Sequence, residues 1–392
     1  MDWELIGTAA LFTLLTLLGL APLRAAGLVK DHQLPEPLVK ILDQMTDPAR
    51  LRELLAQRQP NQKIKPIDAA TLAEQVNSRV IGQEAVVNEL AALIASRSAK
   101  VHRRRPIGVF LVSGPPGTGK SELGKAIGDA LPGWGGHYLV EMNKLKDAAS
   151  LNSLFGAAPG FVGSDRKAGL MNHLLDNPNT VIILDEFEKA CLDAQNAFLA
   201  AWQEGYIRET TQSTLVSTTD AIFILTSNAK EKEIAALAAY QRQASGNQNA
   251  GLLTSEELSE RCRAILRQEL PSPVLSRIDR VFAFAPLSPE ALAAITLKIL
   301  TEEVADYGLT LRPVPPQILL SYVDQYDRPG FDTRDLYRHI ERDFGTAAST
   351  LKAEGVREIE IIYDAKTTEM TVRAVSDKSQ APKAAPRTKG GA

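Results

Sequence analysis

Short apolar runs punctuate the middle of the chain and set its predicted architecture. Val109–Val112, Val181–Leu184 and Ala221–Leu225 have the length and composition of buried strands. Segments with helical periodicity alternate with them between Ile67 and about Ala285. Such alternation is typical of a parallel sheet with helices on both faces. The pattern therefore predicts a large three-layer α/β domain over residues 67–285.

The pattern changes after Pro286-Leu287-Ser288-Pro289, where strand-like runs give way to amphipathic helices. We expect a smaller, mainly helical domain over residues 286–375. Its predicted helices are Glu290–Tyr307, Pro316–Tyr326 and Thr333–Lys352, followed by strands at Glu358–Tyr363 and Met370–Val375. Residues 376–392 are rich in Lys, Pro, Ala and Gly, which predicts a disordered basic tail.

The N-terminal segment Leu5–Leu23 carries no charged residue and nearly reaches the roughly 20 residues that cross a bilayer. Acidic residues precede it and basic residues follow, beginning with Arg24 and Lys30. By the positive-inside rule the C-terminal side lies in the cytoplasm. We therefore expect a single-pass anchor over residues 1–24 in the inner or cytoplasmic membrane, followed by a stalk over residues 25–66. A cleaved signal peptide and a buried helix of a soluble domain are the alternatives.

Composition narrows the classes of partner and compartment. The 392 residues have a formal net charge of −3, which argues against a chain built around nucleic acid. The two cysteines, Cys191 and Cys262, exclude a disulfide framework and suit a reducing compartment.

A phosphate-binding loop is the strongest chemical signal in the sequence. Glycines let backbone N–H groups close around phosphates, and the loop is predicted to run from the strand at Val109–Val112 into a helix N-terminus. Lys120 adds a positive charge and the Ser121 hydroxyl is a ligand for Mg²⁺. The motif consists of Gly114, Pro115, Pro116, Gly117, Thr118, Gly119, Lys120 and Ser121. It predicts binding of ATP with Mg²⁺.

Two further strand ends carry polar groups that suit phosphoryl transfer. Asp185 and Glu186 follow the run Val181–Leu184, so Asp185 is predicted to hold Mg²⁺ together with Ser121, and Glu186 to polarise the attacking water. Asn228 follows another apolar run and is predicted to bond the γ-phosphate or that water. A helix-capping role is the alternative for Asn228.

These motifs together resemble AAA+ ATPases of the Clp unfoldase branch, and most closely their second ATPase ring. The resemblance covers about residues 70–375. It implies that Val80 and Ile81 contact adenine and that the chain forms a homo-oligomer, a hexamer in that family. The segments that carry it are Val80–Val86, Arg105–Gly108 and Leu184–Ala190, the last containing Asp185 and Glu186.

The same resemblance implies roles for two arginines. Leu275-Ser276-Arg277-Ile278-Asp279 is similar to the family's Leu-Asn-Arg-Ile-Asp, so Arg277 is expected to reach the nucleotide of a neighbouring subunit. Arg334 aligns with the sensor arginine of the second domain, although the flanking Thr333 and Asp335 depart from the family pattern. A planar guanidinium can meet the γ-phosphate oxygens with two hydrogen bonds.

A glycine-flanked aromatic segment resembles the central-pore loop of Clp rings. It includes Gly160, Phe161, Val162 and Gly163. An exposed aromatic ring between glycines can grip a polypeptide whatever its sequence, so the resemblance implies a polypeptide substrate. Packing of Phe161 into the core is the alternative.

The sequence thus predicts a membrane-anchored hexameric ATPase that unfolds, threads or remodels proteins at the cytoplasmic membrane face. No exposed loop typical of peptidase docking is evident, so no peptidase partner is expected. An AAA+ motor or loader acting on nucleic acid, or serving a membrane-associated DNA-transfer or secretion assembly, is the alternative. A membrane scaffold that uses ATP only to assemble is a third hypothesis.

Overall fold

A computed structural model describes residues 66–156, 169–208, 215–245, 252–326, 332–364 and 369–375. The predicted anchor, stalk and tail and the predicted pore loop at Phe161 lie outside these ranges. Within them, no helix is long and apolar enough to cross a membrane. The described residues of 67–98 and those from Arg104 to 375 form one compact unit.

A five-stranded sheet forms the centre of this unit. Its order is β2-β3-β6-β1-β7, and every neighbouring pair is parallel. Every residue of β1 and of β6 is buried. Because successive side chains of a strand point to opposite faces, both faces of the sheet are covered, as predicted. The strands are β1 (Gly108–Ser113), β2 (His137–Glu141), β3 (Val181–Asp185), β6 (Ile222–Ser227) and β7 (Arg280–Ala283).

Ten α-helices of the described chain lie in the region before residue 286. Some are long and amphipathic, others are single turns between strands. They are α1 (Ala69–Asn77), α2 (Glu84–Ser98), α3 (Lys120–Ala130), α4 (Asn152–Phe155), α5 (Gly169–Asp176), α6 (Leu192–Ala197), α7 (Leu199–Glu204), α8 (Glu231–Ser245), α9 (Ser255–Leu266) and α10 (Ser272–Leu275). An antiparallel ribbon of β4 (Tyr206–Arg208) and β5 (Leu215–Ser217) lies between α7 and β6.

Two strands of the central sheet, β2 and β7, were not predicted from the hydrophobic pattern. In β2 only Val140 is fully buried, because this strand lies at the sheet edge. The opposite edge strand, β7, begins with the partly exposed Arg280. Only β2 is of mixed polarity; Val281–Ala283 of β7 are apolar and buried, so a short apolar run marks this strand in the sequence.

The region after Pro286 has its own hydrophobic core. Ile299, Ile318, Ile340 and Phe344 are buried together with Ile361 of the small sheet. The parallel pair β8/β9 and the antiparallel pair β9/β10 form that three-stranded sheet. The elements are α11 (Pro289–Asp306), β8 (Thr310–Leu311), α12 (Pro316–Tyr326), α13 (Thr333–Ala353), β9 (Glu358–Asp364) and β10 (Glu369–Ala374).

Candidate nucleotide-binding site

The predicted phosphate loop joins the end of β1 to the start of α3. Gly114, Gly117 and Gly119 all have positive φ angles, of 155°, 71° and 94°. A Cβ at Gly114 would lie 2.6 Å from the carbonyl oxygen of Phe284, so this position also lacks room for a side chain. The loop thus has the backbone that glycine alone adopts without strain, with its open end at the N-terminus of α3.

Lys120 is buried within this loop, with 7% of its surface exposed. Its ammonium donates hydrogen bonds to the carbonyl oxygens of Gly114 at 2.9 Å and Pro115 at 2.6 Å. Burial lowers the pKa of Lys120 to about 8, although the nearby carboxylates of Glu188 and Asp185 oppose that shift. The printed hydrogen bonds of this buried cation go to neutral carbonyl oxygens, so an anionic ligand would stabilise it further and the loop fits a phosphate group.

Ser121, the last residue of the phosphate loop, is hydrogen-bonded to Asp185 at the end of β3. The Ser121 hydroxyl donates to Asp185 Oδ1 at 2.5 Å, and the Thr226 hydroxyl donates to the same oxygen at 2.7 Å. Hydroxyl and carboxylate oxygens are the hard ligands that Mg²⁺ prefers. The described chain contains no cluster of three His, Cys, Asp or Glu side chains that could hold a metal. A magnesium ion here would therefore depend on Ser121, Asp185, water and substrate phosphates.

Glu186 adopts a left-handed backbone conformation, with φ 55° and ψ 52°. Such a conformation is strained for a residue with a side chain, and residues of this kind cluster at functional sites. The Glu186 N–H donates to the Thr226 hydroxyl at 3.0 Å. The same hydroxyl donates to Asp185, so Thr226 holds both acidic residues in place. Thr226 stands two residues before Asn228 at the end of β6, a position that could have signalled a polar role.

The Glu186 carboxylate accepts three hydrogen bonds. The donors are Asn143 at 2.7 Å, Lys189 at 2.7 Å and Asn228 at 3.5 Å. Burial raises the pKa of Glu186, but the hydrogen bonds from Lys189 and Asn143 outweigh burial, and the positive charge of Arg334 acts in the same direction. The net effect lowers this pKa, so Glu186 is ionised at neutral pH and can accept a proton.

Asn228 is positioned through its backbone. Its N–H donates to Glu188 Oε1 at 3.0 Å. Its side-chain Oδ1 is buried and has no hydrogen-bond partner among the described residues, and Glu188 Oε2 shares that condition. Unpaired buried oxygens carry a free-energy cost that a bound ligand, water or ion relieves.

A cavity of about 390 Å³ adjoins the phosphate loop. Val80 and Ile81, the predicted adenine contacts, line it together with Ile295 and Ile299 of α11. The aromatic side chain of Tyr337 also lines it, on α13. Charged side chains, among them Arg79 and Lys298, complete the lining. A cavity with apolar and polar walls beside a phosphate cradle fits a nucleoside.

The start of α13 touches the phosphate loop directly. The Thr333 hydroxyl donates to the Gly117 carbonyl oxygen at 3.0 Å. Asp332 caps the helix, because its carboxylate accepts from the N–H groups of Arg334 and Asp335. Arg334, which follows Thr333, is exposed and close enough to Glu186 to influence its pKa. The sequence did not predict the bond from Thr333.

Arg277 occupies a different surface from the cluster around Lys120. Its guanidinium donates to Gln203 Oε1, at 2.9 Å from Nε, and to the Pro273 carbonyl oxygen at 2.9 Å. Arg277 is partly exposed. Among its described contacts none is with the phosphate loop of its own chain.

The comparisons with known proteins agree with this geometry. Residues 105–281 match the family described as AAA domain (Cdc48 subfamily). The chain is 30% identical over 284 residues to the ATP-dependent Clp protease ATP-binding subunit ClpE of Bacillus subtilis (strain 168), covering 71% of this chain and 38% of ClpE. It is 32% identical over 276 residues to the chaperone protein ClpB of Lactococcus lactis subsp. cremoris (strain MG1363), covering 69% of this chain and 30% of ClpB.

Among solved structures, the fold is similar to that of a chain in the S. cerevisiae Hsp104:casein complex in its extended conformation. The TM-score is 0.64 and the sequence identity 20%, over 79% of this chain and 52% of that chain. The chain thus spans 30% to 38% of these two curated relatives and about half of the solved one. It contains an AAA domain, an ATP-hydrolysing module with the AAA+ fold, that is similar in sequence to the Clp ATPases.

Proposed function

We propose that this protein is a membrane-anchored hexameric ATPase that couples ATP hydrolysis with Mg²⁺ to the unfolding, threading or remodelling of polypeptides at the cytoplasmic membrane face. The main support is that most of the predicted catalytic groups lie together in one chain, while Arg277 does not contact them. Lys120, Ser121, Asp185 and Glu186 are assembled within one chain. Arg277, another predicted catalytic group, is partly exposed and donates to Gln203 instead of to any group of this cluster. A second subunit would complete the site.

In this proposal the residues around the loop have distinct tasks. Lys120 and the loop N–H groups bind the phosphates of ATP, and Val80 and Ile81 contact the base. Mg²⁺, held through Ser121 and Asp185, would neutralise phosphate charge. Glu186 accepts the proton of the attacking water, Asn228 orients that water through its unpaired Oδ1, and Arg334 and a neighbour's Arg277 balance charge on the γ-phosphate.

The polypeptide substrate rests on two supports. The segment Gly160–Gly163 resembles a pore loop, and the similar Hsp104 chain was solved with casein. The ATPase rate of the intact chain in detergent is to be measured with casein, with single-stranded DNA and with neither. We expect stimulation by casein alone. Stimulation by DNA alone would instead favour the nucleic-acid alternative.

A substitution of Phe161 tests the pore-loop assignment. Phe161→Ala should hydrolyse ATP at the normal basal rate yet fail to unfold a folded fluorescent reporter protein. Phe155→Ala is unsuitable as its control because Phe155 is buried; Val101→Ala, at an exposed position, serves instead. Normal unfolding by Phe161→Ala would contradict the assignment.

Flotation with liposomes tests the proposed anchor. The intact chain should float with vesicles of anionic and zwitterionic phospholipid, and a variant lacking residues 1–24 should stay at the bottom while keeping its ATPase activity. An intact chain that stays in solution without detergent or lipid would rule the anchor out.

A further inference from the structure

Arg263 lies on α9 and its guanidinium lies against the turn that carries Arg277. Only 14% of its side chain is exposed. One terminal nitrogen donates to the carbonyl oxygen of Leu275. The other donates to the carbonyl oxygens of Ile278 at 2.7 Å and Asp279 at 3.2 Å. Backbone acceptors on both sides of Arg277 therefore converge on one side chain.

The chemistry of this contact favours arginine. The helix α10 is a single turn, so its last carbonyl groups have no partner within the helix. A guanidinium carries five donors in a planar fork and can bind several carbonyls at once, which a lysine ammonium cannot do with the same geometry. Glu260 Oε1 lies 3.1 Å from Arg263 Nε and balances the buried charge.

Packing alone does not hold the turn. Leu275 and Ile278 are buried, at 4% and 3% exposure, while Ser276 between them is exposed and Arg277 is partly exposed. A cavity of about 450 Å³ lies beside the turn and is lined by Arg263, Leu275 and Ile278 among others. Asp279, at the end of the turn, is bound by Val109 of β1 and by Arg97. On the side of the cavity, the hydrogen bonds from Arg263 hold the carbonyl groups on both sides of Arg277.

We infer that Arg263 is a positioning residue for Arg277: it holds the backbone of residues 275–279 so that the Arg277 guanidinium is presented to a neighbouring subunit. This inference rests on the proposed function, in which Arg277 acts on the nucleotide of a neighbour. Arg263 acts through Arg277 and does not touch the nucleotide. Its loss should therefore slow hydrolysis and leave the nucleotide affinity of its own subunit unchanged.

The experiment compares variants of the full chain in detergent. Arg263→Gln removes the charge and the fork, Arg263→Lys keeps the charge, and Arg261→Gln changes an exposed arginine of the same helix as a matched control. Steady-state kcat and KM for ATP are measured, together with the affinity for fluorescent ADP. ADP lacks the γ-phosphate, so its affinity reports the subunit's own pocket.

We expect Arg263→Gln to lower kcat on the order of 10- to 100-fold, the cost typical of a misplaced catalytic group. ADP affinity should stay within about 2-fold, since no nucleotide contact is removed. Arg263→Lys should lose less activity, and Arg261→Gln should equal the unmodified chain. Because Arg263 acts through Arg277, the double variant Arg263→Gln/Arg277→Ala should be no slower than Arg277→Ala alone.

The outcomes separate this inference from the proposed function. An unchanged kcat in Arg277→Ala would refute the proposed role of Arg277. A slow Arg277→Ala combined with wild-type kcat in both Arg263 variants would overturn the inference alone. So would a double variant whose loss equals the product of the two single losses. If Arg263→Gln does not fold, Arg263→Lys decides the matter: reduced kcat at normal ADP affinity supports the inference, and unchanged kcat overturns it.

Discussion

The side-chain amide of Asn143 donates a 2.7 Å hydrogen bond to Oε2 of Glu186, the residue proposed to activate water. Asn143 lies in the 3₁₀ turn that follows β2, while Glu186 follows β3. Parallel pairing of β2 with β3 places Glu141 opposite Asp185, which brings the residues after each strand together. Glu186 is thereby held by a neighbouring strand end as well as by its own segment.

Replacing Asn143 should release this carboxylate. A hydrogen bond to a charged group contributes about 1.5–3 kcal/mol, part of which must be given up before the carboxylate can accept a proton from water. We expect Asn143→Ala to raise the basal ATPase rate about 3- to 10-fold. Asn88→Ala, at an exposed position on α2, is the control. A basal rate that falls or stays constant would show that the contact does not restrain Glu186.

Lys120→Ala should abolish tight nucleotide binding. The change removes the buried ammonium proposed to meet the phosphates, and a charge-assisted bond of this kind contributes about 1.5–3 kcal/mol. We expect the Kd for a fluorescent ATP analogue to rise by about 10-fold or more. Lys125→Ala, on the same helix, should leave the Kd unchanged, and equal effects of the two changes would contradict the assignment of Lys120.

Thr333→Val tests the contact between α13 and the phosphate loop. The change keeps the side-chain shape but removes the hydroxyl that donates to Gly117 at 3.0 Å. A net loss of about 1 kcal/mol predicts roughly 5-fold faster release of fluorescent ADP in stopped-flow measurements. Thr350→Val is the matched control, since the Thr350 hydroxyl bonds within its own helix. Equal release rates would show that the contact does not hold the nucleotide pocket closed.

Gly128→Ala should destabilise the large domain. A Cβ at this position would lie 2.9 Å from the carbonyl oxygen of Gly136 and 2.8 Å from Cβ of His137, so α3 would have to move away from β2. Overpacking of this kind costs about 1–3 kcal/mol in the free energy of unfolding. Thermal or urea unfolding measures the change.

Gly345→Ala is the control for that substitution. The nearest atoms to a Cβ there are side-chain ends, Tyr307 Oη at 3.2 Å and Glu303 Oε1 at 3.7 Å. These can shift, and alanine gains up to about 1 kcal/mol of helix propensity over glycine. Gly345→Ala should therefore be neutral or slightly stabilising. Equal destabilisation by both changes would show that helix context, and not the packing against β2, decides the result.

The sequence by itself determined the parallel sheet and the chemistry of the phosphate loop. Fully buried strands such as β1 and β6 appear as apolar runs, and a strand followed by Gly114–Ser121 and a helix has few other interpretations. The predicted helix at Pro316–Tyr326 coincides with α12 because its apolar spacing was regular. Local pattern was sufficient wherever neighbouring residues along the chain dictate burial or backbone conformation.

Tertiary structure alone decided which distant groups meet. Asn143 reaches Glu186 because β2 lies beside β3, and Thr333 reaches Gly117 because α13 begins at the loop. Arg263 reaches the turn at Arg277 through the packing of α9 against β7. These contacts join residues that no local periodicity relates, since strand order and helix packing are set by the whole buried core.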